Sequence, residues 1–343
     1  MTALRENVPL AAHTTLGLGG PARYWADVAR EAELPEVLAW AGARRLAVLV
    51  LGAGSNVLAS DGGFAGLALH LALEGEQETG AGRVRVAAGE NWDAVVARGV
   101  VRGWAGVECL SGIPGSVGAT PVQNVGAYGQ EVAEVITQVR AWDRREHVWV
   151  ELTAAECGFG YRASRFNAAD RGRFVITAVE FQLHPGGAAR LRYPELRQHI
   201  RGDASLTAVR EAVLALRRGK AMVLDPGEPD SRSAGSFFKN PVLSLAEAEA
   251  LDARADGARP PQFTGTSGSV KISAAWLIEH AGIGKGFRLP ASGIHVSTKH
   301  VLALVNDGRG TAAEVMALAE HIRSTVAARW GVRLELEPVA VGF

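Results

Sequence analysis

LSGIPGSVGATPVQNVGAYGQE, residues 110–131, is a glycine-rich stretch that contains two prolines and no charge before Glu131. This composition favours neither a helix nor a strand, because glycine and proline interrupt both. Glycine permits positive φ and close approach of the backbone, and successive N–H groups in a turn form a concave binder of anions or carbonyls. We therefore expect this loop to hold a ligand.

A second glycine turn lies upstream. Residues 46–56 read LAVLVLGAGSN, which predicts a buried strand ending in a turn whose N–H groups can hold a diphosphate. The turn lacks the GxGxxG spacing, and Val57 and Leu58 follow it with no clear amphipathic helix, so a Rossmann nicotinamide site fits poorly. Two glycine turns suggest one long ligand, such as a dinucleotide. Two ordinary surface loops are the alternative.

Composition restricts the class of partner and the compartment. A chain of 343 residues should form more than one domain, since single cores stop growing near about 250–300 residues. Lys plus Arg (36) equals Asp plus Glu (36), so no global field attracts nucleic acid or an anionic membrane. Cys109 and Cys157 have no metal-binding or CxxC spacing, and no apolar run is long enough to span a membrane. We expect a soluble cytoplasmic protein with a small-molecule partner and no metal.

Periodicity and capping residues predict mixed helices and strands. Asn91 can cap a helix that runs to residue 101, and further helices are expected at residues 31–43, 207–218 and 273–280. The polar residues 225–235 are the expected lobe boundary. Strands are expected at residues 23–28, 83–88, 135–142, 148–152 and 174–183, and capping boxes at Thr153–Glu156, Ser244–Glu247 and Thr311–Glu314.

When only their local sequence is considered, several charged or nucleophilic residues have ordinary structural roles rather than functional ones. Arginines beside aromatic residues, such as Arg162 and Arg165, are usually stacked at the surface. The basic helix end RRGK, residues 217–220, can simply complement the helix dipole. Ser236 lies in no GxSxG elbow, which argues against a hydrolase triad. The histidines lack regular ligand spacing and are expected to be structural or surface residues: His280, His295 and His300.

Four motifs, in order along nearly the whole chain, resemble the UDP-N-acetylenolpyruvoylglucosamine reductases, flavoenzymes of bacterial cell-wall synthesis. The motifs are GAGSNVL at residues 52–58, GIPGSVGATPVQNVGAYGQE at 112–131, FGYRASRF at 159–166 and AGSFFKNP at 234–241. The resemblance implies an α+β fold of mixed α/β lobes. It comprises an FAD-binding fold of the vanillyl-alcohol oxidase type and an α+β substrate-binding lobe. The expected lobes are residues 1–65 joined by 328–343, residues 66–222 and residues 223–327.

The resemblance also implies a reaction. NADPH passes a hydride to non-covalent FAD, and reduced FAD reduces the enolpyruvyl group of a UDP-sugar to give UDP-N-acetylmuramate. Arg162 and Glu337 fall on the residues that stabilise the developing carboxylate charge, and Ser236 falls on the proton donor to carbon. The tail RLELEPVAVGF alternates, so Glu335 and Glu337 share one face. Anchoring the tail on Val341 and Gly342 selects Glu337, and Glu335 is the alternative.

Binding residues follow from the same resemblance. Tyr193 falls on the mobile loop of the family subtype in which a tyrosine closes over the substrate diphosphate, and a packing tyrosine before Pro194 is the alternative. With Lys220, Asn240 and Lys285 it would hold the diphosphate and sugar, in a monomer without nucleic-acid or membrane partners. The expected FAD contacts are Gly52, Gly54, Ser55, Asn56, Ile113, Pro114, Gly115, Gly118, Asn124, Gly126 and Tyr128.

Two other classes of function remain open from the residues. An alcohol or amine oxidase of the same flavin fold often tethers FAD through His or Cys, and neither glycine turn contains these residues. A non-catalytic flavin sensor or electron carrier would need the glycine turns but not Arg162, Ser236 and Glu337. Turnover of NADPH with and without the enolpyruvyl sugar distinguishes these classes.

Overall fold

The computed structural model describes residues 3–200, 204–255, 257–265 and 268–343. The strands are β1 (Leu4–Pro9), β2 (Pro21–Val28), β3 (Val48–Leu51), β4 (Val57–Ala59), β5 (Phe64–Leu71), β6 (Glu76–Gly80), β7 (Arg83–Ala87), β8 (Trp104–Ala105), β9 (Gly126–Ala127), β10 (Gln130–Glu131), β11 (Ile136–Asp143), β12 (Val148–Thr153), β13 (Phe174–Gln182), β14 (His184–Pro185), β15 (Ser233–Ser236), β16 (Val242–Ser244), β17 (Gln262–Thr264), β18 (Ser269–Ile272), β19 (Ile294–Val296), β20 (Ala303–Asn306) and β21 (Val339–Val341). The α-helices are α1 (Leu34–Ala43), α2 (Trp92–Val101), α3 (Pro194–His199), α4 (Leu206–Gly219), α5 (Leu245–Arg254), α6 (Ala274–Glu279) and α7 (Ala312–Trp330). The strands and helices predicted from periodicity are confirmed, with small shifts at their ends.

Side-chain caps fix where the helices begin. The Oδ1 of Asn91 accepts a hydrogen bond from the N–H of Ala94 over 3.0 Å at the start of α2. The predicted capping boxes open α5 from Ser244 and α7 from Thr311, and α7 ends at Gly331 with a left-handed φ of 74°. The box of Thr153 and Glu156 also forms both of its bonds, but a turn follows it and no helix. Gly158 adopts a left-handed φ of 58° there, which stops helix propagation.

The first compact unit comprises the described residues of Met1–Val8, Pro21–Gly54 and Phe64–Val223. One sheet has the strand order β1-β2-β5-β3, in which β2 and β3 both pair in parallel with β5. Apolar residues of α1 and of this sheet share one core. A second, antiparallel sheet has the order β12-β11-β13-β7-β6, and its core includes residues of α2. This unit contains the loop 110–131.

The second compact unit comprises Pro9–Gly20, Ser55–Gly63 and the described residues of Leu224–Phe343. Its sheets have the orders β15-β20-β19 and β16-β18-β17, and β21 pairs in parallel with β4. The core of this unit is built largely from α6, α7 and the strands β19 and β20. The C-terminal strand therefore returns to the residues that directly follow the first glycine turn.

The C-terminal tail pairs less regularly than its alternating sequence predicts. Leu334 is buried and Glu335 is exposed as expected, but Leu336 and Glu337 are both half-buried. Leu336 forms an isolated bridge with Phe238, and β21 begins only at Val339. Pro338 explains the break, because proline has no N–H to donate to a ladder.

Among the described residues, no helix is both long and apolar enough to cross a membrane.

Cys109 and Cys157 are free and buried, and burial raises the pKa of their thiols to about 12 and about 11. Both cysteines are therefore unreactive packing residues near neutral pH.

Candidate active site

The two glycine segments lie against each other in the first unit. Gly52 directly follows β3, and a Cβ atom placed on it would lie 2.1 Å from the Oγ of Ser116 in the loop 110–131. A larger residue at position 52 would force the Ser116 side chain to move, since real Cβ atoms essentially never come closer than 3.0 Å to another heavy atom. The tertiary structure thus brings together the two turns that the sequence singles out separately.

Backbone hydrogen bonds hold the loop 110–131 in a fixed path over α2 and β7. The N–H of Gly112 donates to the Oδ1 of Asp93 over 2.6 Å, and the N–H of Gly118 donates to the carbonyl of Ala88 over 2.9 Å. Gly112 and Gly115 have positive φ values of 71° and 139°. Residues with side chains rarely adopt these conformations, so the glycines permit this path.

Asp93 is a loop anchor that the sequence analysis did not identify. Its two carboxylate oxygens accept hydrogen bonds from the Nη1 and Nη2 of Arg210, at 2.6 and 2.8 Å, beside the bond from Gly112. Burial alone would raise the pKa of Asp93, but the bonds from Arg210 and Gly112 outweigh it and hold the pKa below its usual value. A charged Asp93 therefore fixes the start of the loop.

Asn124 and Tyr128 occupy the second half of the loop with left-handed φ values of 45° and 50°. Asn124 is buried, and its amide donates to the Oε2 of Glu131 and to the carbonyl of Gly160 at 2.8 and 3.0 Å. Its Oδ1 accepts from the N–H of Ala133 over 3.1 Å. The side chain of Asn124 therefore holds the loop together through protein contacts.

The arginine motif forms a short turn that presents Arg162 to the same loop. Gly160 and Ala163 exchange backbone hydrogen bonds, and Arg162 between them has a left-handed φ of 51°. The Nη2 of Arg162 donates to the carbonyl of Gly126 over 2.8 Å. Arg165 instead contacts Asp170 at 2.7 Å and lies over the ring of Phe174. The two arginines of the motif thus have different surroundings, and only Arg162 reaches the glycine-rich loop.

Tyr193 and Lys220 lie in a cluster with Tyr128. The rings of Tyr128 and Tyr193 meet edge to face, with centroids 5.5 Å apart. Burial raises the pKa of Tyr128 to about 12, although the nearby Arg217 charge acts in the opposite direction. The Nζ of Lys220, at the end of α4, lies 3.0 Å from the Oε2 of Glu195 in α3. Lys220 and Tyr193, which are expected to hold the substrate diphosphate, are therefore linked through Glu195, which follows Tyr193 by two residues in the chain.

Arg217 is a second residue whose importance the sequence analysis missed. Its Nη2 donates to the carbonyl of Met222 over 2.6 Å, and its Nε is buried with no hydrogen-bond partner among the described residues. Burial lowers the pKa of this guanidinium, while Tyr128 and Asp93 act in the opposite direction. The helical pattern contained the signal, because Arg217 follows the buried Val213 by four residues and so lies on the inner face of α4.

Ser236 and Glu337 are brought near each other in the second unit. Ser236 ends β15, and the following Phe237 accepts a hydrogen bond at its carbonyl from the N–H of Glu337 over 3.0 Å. Glu335 lies further along, where its backbone pairs with Lys239 and its 77% exposed side chain is 3.4 Å from the Nζ of the same lysine. Of the two glutamates, Glu337 is therefore the one whose backbone pairs beside Ser236.

Asn240 and Lys285 also belong to the second unit. The Oδ1 of Asn240 accepts from the N–H of Ala274 over 2.9 Å and so helps to cap α6. Lys285 is exposed in the glycine-rich segment after α6. Asn240 therefore has a structural role at the start of α6, which the sequence analysis did not predict.

The histidines occupy structural or surface positions, as predicted. His280 is exposed and stacks on Trp276 with ring centroids 3.9 Å apart. His295 is buried, with its Nε2 3.5 Å from the Oδ1 of Asp230 and its Nδ1 3.3 Å from the Nη2 of Arg288. Among the described residues, no group of His, Cys, Asp or Glu is arranged to hold a metal ion.

The site in the first unit has the properties that an anionic dinucleotide such as FAD requires. The two glycine segments abut at Gly52 and Ser116, which allows one ligand to contact both. The buried guanidinium of Arg217 lies directly beneath the loop, with its Nε 3.4 Å from the position of a Cβ on Gly112. A buried cation beside a glycine-rich turn favours an anionic ligand.

Comparisons with known proteins agree with this chemistry. Residues 22–150 match the family model of an FAD binding domain, and residues 227–341 match the C-terminal domain of UDP-N-acetylenolpyruvoylglucosamine reductase. The reductase of Thermobifida fusca is 46% identical over 99% of both chains, and that of Nocardia farcinica is 48% identical over 99% of this chain and 90% of the relative. The crystal structure of the Thermus caldophilus reductase superposes with a TM-score of 0.70 at 25% identity, over 99% of this chain and 100% of the other. The predicted α+β fold with an FAD-binding portion is confirmed.

Proposed function

The chain belongs to the UDP-N-acetylenolpyruvoylglucosamine reductase family, and on that premise we propose that Arg162, Ser236 and Glu337 are its catalytic residues. The protein is an FAD-dependent oxidoreductase. It uses NADPH to reduce UDP-N-acetylglucosamine enolpyruvate to UDP-N-acetylmuramate in peptidoglycan precursor synthesis. The observation that best supports the residue assignments is the hydrogen bond that ties Arg162 to Gly126 of the glycine-rich loop.

FAD would be held without a covalent bond along the two glycine segments. Bound there, FAD would supply the hydride-transfer chemistry between NADPH and the enolpyruvyl methylene carbon of the substrate. The turning backbone of both segments would bind the cofactor, and the Asp93 contact would keep the second segment in place. The proposed contacts are Gly52, Gly54, Ser55, Asn56, Ile113, Pro114, Gly115, Gly118, Asn124, Gly126 and Tyr128.

Arg162 would stabilise the negative charge that develops on the substrate. Hydride addition at the methylene carbon leaves charge on the neighbouring carbon and its carboxylate. The planar guanidinium presents paired N–H donors that match a carboxylate, and a positive charge placed where negative charge develops lowers the barrier. Glu337, when protonated, would donate a further hydrogen bond to the same carboxylate.

Ser236 would complete the reaction by donating the proton of its Oγ to the carbon beside the carboxylate. A hydroxyl is a weak acid, but an enolate carbon in a site that excludes water is basic enough to take its proton. Gly235, with a left-handed φ of 72°, turns the backbone just before Ser236. The half-buried position of Ser236 limits its contact with water.

Four residues would hold the UDP portion of the substrate: Tyr193, Lys220, Asn240 and Lys285. Lys220 and Tyr193 would contact the diphosphate, and the protein would belong to the family subtype with a tyrosine-bearing substrate loop. Asn240 would contact the same portion of the substrate while its Oδ1 accepts from the N–H of Ala274. Lys285 would add a positive charge from its exposed glycine-rich segment.

We further propose how the chain divides into lobes, its oligomeric state and its cellular compartment. Residues 1–65, joined by 328–343, and residues 66–222 would form the two FAD-binding lobes, and residues 223–327 the substrate lobe. The protein would act as a cytoplasmic monomer without nucleic acid, since positive and negative side chains balance at 36 each. Size-exclusion chromatography with light scattering measures the mass, and a dimer would contradict the proposed monomer.

One experiment tests the residue assignments. The purified protein is reduced anaerobically with NADPH, and the reduced enzyme is then mixed with the enolpyruvyl UDP-sugar, with flavin absorbance recorded in both steps. We expect variants of the three catalytic residues to be reduced normally and to be reoxidised slowly, because none of the three acts on NADPH. Equal defects in both steps would contradict the assignment.

A further inference from the structure

Lys220 is already paired with an anion of its own chain. Its Nζ lies 3.0 and 3.1 Å from the two carboxylate oxygens of Glu195, so one ammonium group contacts both oxygens of the same carboxylate. The side chains of Lys220 and Glu195 are 33% and 36% exposed. A phosphate group of a ligand would be attracted to the same ammonium by its negative charge.

The position of Glu195 connects this ion pair to the tyrosines of the site. Glu195 follows Tyr193 by two residues in the first turn of α3, and Tyr193 packs on Tyr128 of the glycine-rich loop. The Glu195 charge contributes to raising the pKa of both tyrosines, after burial. Glu195 is therefore close enough to act electrostatically on every residue of the cluster.

We propose that Glu195 is an internal counter-anion, which a ligand diphosphate must displace from Lys220. Glu195 thereby sets the affinity of the site for diphosphate ligands. The inference rests on the proposed role of Lys220 in binding the diphosphate. The Glu195 carboxylate takes up N–H donors of the ammonium that a ligand phosphate would also use, so the bound ligand competes with Glu195 for Lys220.

The exposure of the pair makes this exchange feasible. A half-exposed carboxylate that leaves the ammonium regains water, so breaking such a pair costs little free energy. A diphosphate carries more charge and more acceptor oxygens than one carboxylate, which favours it at Lys220. In the absence of ligand, Glu195 supplies the counter-charge of the half-buried ammonium of Lys220.

The test uses UDP as the probe and the FAD-loaded protein. Isothermal titration with UDP should show that Glu195→Gln binds about two- to fivefold more tightly than the wild type, the range expected for a half-exposed ion pair. Uridine, which lacks the diphosphate, should bind both proteins equally. Glu211→Gln removes the same charge from an exposed position on α4, and it should leave the affinity for UDP unchanged.

Three outcomes would overturn the inference. In the first, Glu195→Gln binds UDP as tightly as the wild type or more weakly, while Lys220→Met weakens UDP binding. Glu195 would then only orient Lys220, and the proposed role of Lys220 would remain. If Glu211→Gln has the same effect as Glu195→Gln, only the net charge matters. If Lys220→Met leaves the affinity for UDP unchanged, the proposed role of Lys220 fails together with the inference. Flavin absorbance and thermal midpoint show that each variant is folded.

Discussion

The Nη2 of Arg162 donates a hydrogen bond to the carbonyl oxygen of Gly126 over 2.8 Å. Arg162 does so from a left-handed backbone conformation with φ of 51°, which costs a residue with a side chain about 1–3 kcal/mol. The position of the guanidinium is therefore tied to the path of the loop 110–131. A change at either residue should alter the reaction at the substrate carboxylate.

We expect Arg162→Lys to slow the oxidation of the reduced enzyme by the enolpyruvyl substrate by about 10²–10³-fold. Lysine keeps the charge but lacks the paired N–H donors that match a carboxylate. Reduction by NADPH should be unchanged, and stopped-flow absorbance of the flavin measures both steps. Arg165→Lys is the control, because Arg165 contacts Asp170 rather than the loop. Equal effects of the two substitutions would refute the role of Arg162.

Ser236→Ala should slow the same oxidative step by about 10²–10⁴-fold, because it removes a positioned general acid. Reduction by NADPH and binding of FAD should stay normal, since neither needs protonation of carbon. Ser236→Cys should recover part of the rate, because a thiol can donate a proton from nearly the same place. If Ser236→Ala affected both half-reactions equally, or neither, Ser236 would be only a turn residue.

Glu337→Ala should slow oxidation by the substrate at least about 10-fold, because it removes a hydrogen bond to the developing charge. Glu335→Ala is the matched control, two residues away in the same tail. Its side chain is 77% exposed and lies 3.4 Å from the Nζ of Lys239, so we expect no change in either half-reaction. A larger defect in Glu335→Ala than in Glu337→Ala would exchange the two assignments.

Gly52→Ala should weaken the binding of FAD and lower the thermal midpoint, because the new Cβ would lie 2.1 Å from the Oγ of Ser116. Overpacking of this kind costs about 1–3 kcal/mol. The double variant with Ser116→Ala should recover part of the loss, since the nearest remaining atom, the Cβ of residue 116, is 3.2 Å away. FAD titration by fluorescence measures the affinity. No recovery in the double variant would mean that the two segments do not meet at this contact.

Stability should depend on pH through Asp143. The hydrogen bonds from Arg173, above all, and those from the N–H groups of Arg145 and Glu146 lower the pKa of Asp143 to about 2. A carboxyl group in the unfolded chain titrates near about 3.9. The contribution of Asp143 is therefore fully present above that value and is lost as the pH falls toward 2.

Asp143→Asn provides the corresponding measurement. The difference in free energy of unfolding between wild type and variant, from urea denaturation, should be constant from pH 7 to 5 and should shrink from pH 4 toward 2. Arg173 contacts Asp143 at 2.6 Å, so the variant should be less stable than the wild type at neutral pH. A difference that stays constant down to pH 3 would rule out this linkage.

Much of the local structure was predictable because it depends on neighbouring residues. The caps at Asn91, Ser244 and Thr311 and the left-handed Gly331 follow from side-chain and backbone preferences within one turn. The strand before Gly52 follows from its apolar run, but the prediction that it is buried holds only for Leu51, since Val48, Leu49 and Val50 are half-buried. The four motifs were specific enough to indicate the family. The box at Thr153 shows the limit, since its bonds form but Gly158 prevents a helix.

The contacts that build the site could not be predicted, because they join residues far apart in sequence. Periodicity specifies which face of an element is apolar, but it does not specify what packs against that face. The contact of Gly52 with Ser116, the anchoring of Gly112 by Asp93 and the capping of α6 by Asn240 all depend on tertiary packing.

The sequence by itself determined the family, the two glycine segments and the candidates for the catalytic residues, because short-range patterns carry this information. Only the tertiary structure decided how these parts are supported. Strand alternation left Glu335 and Glu337 equivalent, whereas backbone pairing sets Glu337 opposite Phe237, next to Ser236. The local sequence of the basic helix end likewise predicts the same role for Arg217 and Lys220. Packing distinguishes them, because it buries Arg217 beneath the loop and pairs Lys220 with Glu195. The physical reason is that long-range register and packing, rather than local propensity, determine which charges become buried or paired.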